Sequence, residues 1–262
     1  MSSGRQGNAL LDAWALGRLT IGAACKIPSS FAAEAMAAAG FDYLYVDQQH
    51  GLMDNPAMLS VFQGICAAGC APVTRVPANR PEAIGIALDL GAMAVMVPDV
   101  ESAADAASAV AACRFPPRGT RSYGVMRSHI VFGSAHPGVL ESVACVVMVE
   151  SAAGLARLDE IAATEGVDAI MVGPNDLALS LGVELSGDWM SAGVLLSAIK
   201  QIRVACEDHR LVPGIGMPNG AAAARWARQG FRMINMGNDL GYLRANASRE
   251  IAAFRSAHQP DS

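Results

Sequence analysis

Eight short β-like runs, each followed by a stretch of helical period, recur along this chain, and that alternation constrains the fold more than any other feature. The runs are Leu19–Cys25, Tyr43–Val46, Pro72–Val76, Ala94–Val97, Cys145–Val149, Ala169–Val172, Val212–Ile215 and Met233–Met236. Each is almost wholly apolar and too short for a helix, the pattern of a strand buried on both faces of a parallel sheet. Helices are expected at Ser29–Ala39, Asn55–Ala68, Arg80–Leu90, Ser102–Cys113, between Glu150 and Ala169, and at Ser191–Asp208, Gly220–Gln229 and Leu240–Arg255, with Gly40 and Gly91 as stops. Eight such pairs predict a closed (β/α)8 TIM barrel. That fold takes about 250 residues, so the 262-residue chain reads as one domain, 1–262. A doubly wound open sheet is the competing architecture. No GxGxxG follows the first run, and polar residues recur at the tips of several runs, which a barrel gathers at one mouth.

Two of those tips carry acids. The run ending at Val149 stops on Glu150, and the run ending at Val172 leads into Gly173, Pro174, Asn175 and Asp176. The acids are 26 residues apart, close to the roughly 30 residues of a strand, helix, strand unit, so adjacent parallel strands would bring both to one sheet edge. Either acid alone reads equally well as a helix cap. Together they point to a hard divalent cation held by oxygen, Mg or Mn in the first place, with Co or Zn as further options.

Other strand tips add to the constellation. Asp47 and His50 follow the second run, where a carboxylate orienting an imidazole would make a general base. Arg75 ends the third, and a cation there can hold an oxyanion. Lys26, just past the first, raises a Schiff-base alternative that ranks below the metal reading because the carboxylate pair supplies a fuller set of parts. His129 and His136 fall in a long Gly-, Pro- and Ser-rich stretch, about 114–139, expected to lie on the catalytic face as a lid or a subunit contact. The tail HQPDS is expected to fray.

The net charge of −5 argues against nucleic acid or an anionic membrane as partner. No run reaches the 18 or so apolar residues of a spanning helix, and a cytoplasmic setting is expected. Hydrophobic residues make up 52% and charged residues 16%, which hints at apolar surface covered by further copies. The six cysteines form no CxxC pair and read as reduced and structural.

The segments FDYLYVDQQHG (41–51), RVP (75–77), LDLGAMAVMVPDVES through RFPPRGTRSYG (88–124), VESAAGLARLDEI and GVDAIMVGPNDLALSLG together resemble the class II, metal-dependent pyruvate aldolases of the HpcH/HpaI type, from about residue 21 to 246. The resemblance implies a (β/α)8 barrel, commonly a hexamer built as a trimer of dimers with the last helix exchanged. Carried onto this chain, it implies Glu150 and Asp176 as metal ligands, His50 with Asp47 as an acid/base dyad, and Arg75 on the keto oxygen. The backbone at Asn175 and Asp176, with Gly173 in the turn, would dock the pyruvate carboxylate. It departs from the family's usual residues at Gln49, where Glu is common, and at Met148, where Gln is common and contacts substrate. The implied reaction is reversible cleavage of a 4-hydroxy-2-oxo acid to pyruvate and an aldehyde. The alternatives are an acyl-CoA lyase of the citrate-lyase β or malyl-CoA class, needing a basic patch that only Arg118, Arg121 and Arg127 could supply, and an inactive barrel that binds a keto acid.

Overall fold

The computed structural model describes residues 7–258, so of the tail HQPDS all but His258 lies outside the described residues. Eight parallel strands close on themselves in sequence order, as the alternation requires. They are β1 (Thr20–Cys25), β2 (Tyr43–Asp47), β3 (Ala71–Arg75), β4 (Ala94–Val97), β5 (Ala144–Val149), β6 (Ala169–Val172), β7 (Val212–Met217) and β8 (Met233–Asn238). The helices are α1 (Ala9–Ala15), α2 (Ser30–Ala38), α3 (Asn55–Ala67), α4 (Pro81–Asp89), α5 (Ala103–Cys113), α6 (Ser128–Phe132), α7 (Pro137–Leu140), α8 (Ala152–Ala156), α9 (Leu158–Ala162), α10 (Pro174–Ser180), α11 (Gly193–Asp208), α12 (Gly220–Arg228) and α13 (Asp239–Ala257). Ser29, Asp54, Ser102 and Asn219 cap α2, α3, α5 and α12 with side-chain oxygens, satisfying first-turn N–H groups that would otherwise go unpaired.

Side-chain alternation along the strands makes two cores. Outward residues such as Leu44, Val95, Val147, Ile170 and Ile234 pack with Phe62, Leu88, Ile199 and Trp226 of the helices. Inward residues, among them Tyr43, Val73, Met96, Val146, Met171 and Met233, fill the barrel itself. One glycine is dictated by this filling: a Cβ on Gly22 of β1 would stand 2.3 Å from the Tyr43 ring. The cysteines are free, and all but Cys66 are buried among these residues.

The end where the strands begin is closed. Leu10 and Trp14 of α1, an element the strand pattern did not disclose, join the inner core. Trp14 Nε1 donates to Thr20 Oγ1 at 2.9 Å, and Asn8 Nδ2 donates to the carbonyls of Met93 and Ser142. Burying these two apolar side chains contributes about 2 kcal/mol each, and it leaves the opposite end as the open one.

The stretch 114–139 corrects an expectation. It follows α5 rather than β4, and a helix that runs back antiparallel to its strand delivers the chain to the end where strands begin. Arg121 accordingly pairs with Asp89 at the end of α4 at 3.1 Å and donates to the Leu140 carbonyl, and Arg127 donates to the Leu90 carbonyl. The stretch therefore forms no lid over the mouth of its own barrel, and it contains α6 and α7 rather than only irregular chain.

The final helix, α13, buries only Asp239 and exposes Leu243, Ile251 and Phe254. Among the described residues no helix is long and apolar enough to cross a membrane.

Candidate active site

A cavity of about 650 Å³ opens at the C-terminal ends of the strands, where barrel enzymes carry their chemistry. Its wall includes His50, Arg75, Met148, Gly173, Asn175 and Asp176, six of the eight residues to which the resemblance gives a place in the site, and Lys26 as well. The other two, Asp47 and Glu150, are buried immediately behind that wall.

Asp47 ends β2 directly opposite Arg75 of β3. Its carboxylate accepts from Arg75 Nε at 3.0 Å and Nη2 at 2.6 Å, and Lys26 Nζ lies 3.5 Å away. Burial by itself would push the Asp47 carboxyl up. The hydrogen bonds and charge of Arg75, the His50 N–H and the charge of Lys26 outweigh burial and hold it below its ordinary value. Burial likewise works against the Arg75 charge, and Asp47 more than restores it.

Here the structure corrects the expected dyad. The bond between Asp47 and His50 runs from the His50 backbone N–H to Oδ1 at 3.0 Å, so Asp47 shapes the turn after β2, while the His50 side chain stands exposed at the rim. Sequence proximity pointed to the wrong partner, because the carboxylate is turned sideways to the next strand. Lys26 is engaged in the same ion pair rather than standing alone over the cavity. Its backbone N–H and that of Ile27 are held by the Asp239 carboxylate from the start of α13.

Glu150 follows β5 where Gly173 follows β6, across adjacent strands whose last residues, Val149 and Val172, are partners. Glu150 Oε1 accepts the Asp99 N–H at 3.1 Å, with Asp99 in the left-handed region at φ 55. Oε2 is buried and has no hydrogen-bond partner among the described residues. It lies so close over Gly173 that a Cβ there would be 2.1 Å away. The Glu150 carboxyl is raised to about 7, chiefly by burial; the Asp99 N–H and the Arg75 charge work against the rise, and the charges of Asp99 and Asp176 add to it. Asp176 sits in the first turn of α10 behind Pro174 at the first helical position.

A buried carboxylate oxygen with no donor, in the field of a second acid, is the local environment a cation would relieve. Two carboxylates suit a magnesium-type ion that keeps its other positions for water and substrate. Among the described residues no cluster of three or more His, Cys, Asp and Glu side chains is gathered for a cation.

Further wall residues that the strand tips did not single out include Tyr45, Asn235, Trp189 and Met190. Tyr45 could have been found by the period of two, since it alternates with Tyr43 and Asp47 on the inner face of β2. Trp189 and Met190 lie in a short 3-10 turn, Trp189–Ser191, which no periodicity announces.

Comparison with known proteins places this architecture. The HpcH/HpaI aldolase/citrate lyase family model matches residues 28–246. A 5-keto-4-deoxy-D-glucarate aldolase from Klebsiella pneumoniae subsp. pneumoniae is 34% identical over 251 residues, covering 95% of this chain and 97% of the relative. The crystal structure of an HpcH/HpaI aldolase/citrate lyase family protein from Burkholderia cenocepacia J2315 superposes with a TM-score of 0.87 at 34% identity, covering 95% of this chain and 99% of that one. A citrate lyase β subunit from M. tuberculosis, complexed with oxaloacetate and magnesium, shares the fold at a TM-score of 0.57 and 18% identity over 86% of this chain and 93% of that one.

Proposed function

From the premise that this chain belongs to the HpcH/HpaI aldolase/citrate lyase family and is a carbon–carbon lyase, we propose that it cleaves a 4-hydroxy-2-oxo acid reversibly to pyruvate, or a pyruvate analogue, and an aldehyde. The observation that carries the reading is Glu150 Oε2, buried without a donor among the described residues beside the cavity that Arg75 and Asp176 line. Glu150 and Asp176 would hold a divalent cation, Mg or Mn before Co or Zn. When bound, the cation supplies Lewis-acid stabilisation of negative charge at the keto oxygen.

The chain's own residues account for the rest. Arg75 donates to the 2-keto oxygen, kept charged and pointed by Asp47. Backbone N–H groups at Asn175 and Asp176 dock the carboxylate, in a turn that Gly173 keeps clear. His50 at the rim takes the proton from the C4 hydroxyl. The C3–C4 bond then breaks, its electron pair moves toward the keto oxygen, the aldehyde leaves, and a proton returned to C3 completes pyruvate.

The acyl-CoA alternative loses its support, because Arg121 and Arg127 are engaged at the far end of the barrel and Arg118 pairs with Glu141. The exposed apolar residues of α13, with Tyr123, Met126 and Ile130 of the 114–139 stretch, support a homo-oligomer, a hexamer as trimer of dimers, in which the last helix is exchanged and that stretch is a subunit contact. The free cysteines accord with the reducing cytoplasm.

The test is direct. Purified protein loaded with Mg or Mn should release pyruvate from members of a panel of 4-hydroxy-2-oxo acids and lose that activity in chelator. Binding of pyruvate without turnover on any member would instead leave an inactive keto-acid-binding barrel.

A further inference from the structure

We propose that the Tyr45 hydroxyl is a further substrate-contacting group, a neutral donor in the cavity wall that hydrogen-bonds the keto acid beside Arg75 at an oxygen gaining negative charge as the carbon–carbon bond breaks. The inference rests on the aldolase reading above and adds a residue to its machinery.

Two tyrosines on the inner face of β2 meet different fates. Tyr43 is fully buried, and its hydroxyl is satisfied by Asn235 Oδ1 at 2.5 Å. Tyr45, one step nearer the mouth, is only half-buried and lines the cavity. Its hydroxyl has no hydrogen-bond partner among the described residues. It is also absent from their fully enclosed unpartnered polar atoms, so the oxygen faces cavity space. A hydroxyl that faces a cavity and has no protein partner takes its hydrogen bonds from whatever occupies that cavity, water or a ligand.

The ring fixes where that donor acts. The Arg75 guanidinium carbon lies 6.0 Å from the Tyr45 ring centroid, at the limit of cation–π range, so the ring neighbours the guanidinium that Asp47 holds. Hydroxyl and guanidinium therefore serve the same side of the cavity. The thioethers of Met148 and Met171, also in the wall, are weak acceptors at best and donate nothing. Burial pushes the phenol up to about 12, with the charge of Arg75 working against the rise, so at neutral pH it remains a donor and keeps its proton throughout. No covalent or proton-transfer step is assigned to it.

Tyr45→Phe deletes the oxygen and nothing else. In Mn-loaded protein, kcat for cleavage is expected to fall roughly 10- to 100-fold, at or below the loss on removing an oxyanion-hole donor, with KM changed less than about threefold. Oxalate, a planar dianion shaped like the enolate of pyruvate, is expected to bind about tenfold more weakly by calorimetry. The melting temperature should hold, whereas Tyr43→Phe, which breaks the Asn235 bond, should lower it and leave oxalate affinity intact. Oxalate affinity and kcat within twofold of wild type in Tyr45→Phe would overturn the assignment. Should wild type bind oxalate yet cleave no 4-hydroxy-2-oxo acid, the activity reading falls and the Tyr45 contact is judged on affinity alone. Wild type that binds no oxalate sinks both.

Discussion

Asp47 and Arg75 face each other across β2 and β3 and are joined by two hydrogen bonds, at 3.0 and 2.6 Å, with the Asp47 carboxylate wholly buried. The pair aims the one guanidinium that the described residues bring to the cavity wall and supplies the counter-charge that makes its burial tolerable. Removing one member of such a pair leaves the other as an uncompensated buried charge.

Asp47→Ala should therefore destabilise the fold by about 3 kcal/mol, measured by urea unfolding at pH 7. The pH dependence has a definite sign. Because the folded Asp47 carboxyl lies below its ordinary value of 3.8, its stabilisation is complete above about 3.8 and is lost as the pH falls through the lower folded value. The stability gap between wild type and Asp47→Asn should shrink below that pH; a gap constant down to acid unfolding would show that the pair contributes no linkage.

Glu150 and Gly173 form the second test. Glu150→Gln keeps the shape but halves the anionic ligand set, and Mn affinity should weaken by at least about tenfold. Gly173 has φ −92, so alanine there is not strained by its backbone, yet its Cβ would meet Glu150 Oε2 at 2.1 Å. Gly173→Ala should fold normally and bind Mn more weakly, as seen by electron paramagnetic resonance. Wild-type affinity in both variants would remove Glu150 from the metal site.

His50→Ala should lower kcat by roughly 10² to 10⁴, the range for a lost general base, with an unchanged melting temperature because the side chain is exposed. Asp47→Asn should lower activity through Arg75 instead. An Asp47→Asn pH–rate profile that shifts its basic-group limb as a broken His–Asp dyad would shift it is the result that would restore the side-chain dyad.

Gly22→Ala should cost about 1 to 3 kcal/mol by overpacking, because the Tyr43 ring 2.3 Å from the added carbon is fully buried and has nowhere to move. A thermal melt equal to that of wild type would mean the inner core relaxes around the methyl group.

The barrel was legible from the chain because its signal is local. A strand buried on both faces must be apolar at every position, as Ala94–Val97 and Ala169–Val172 are, and the helix after it must show its own period. Glu150, Arg75 and Asp176 could be named because a polar residue ending such a run has only the mouth to face. What stayed hidden was decided by neighbours distant in sequence. The register of β2 on β3 gave Asp47 to Arg75 and took it from His50, and the fit of α1 under the inner core closed the far end. The direction in which α5 returns carried residues 114–139 away from the mouth. Periodicity assigns a residue to a face of its own element, but hydrogen bonds and ion pairs need atoms placed within about 3 Å, and only the closed sheet sets positions that finely.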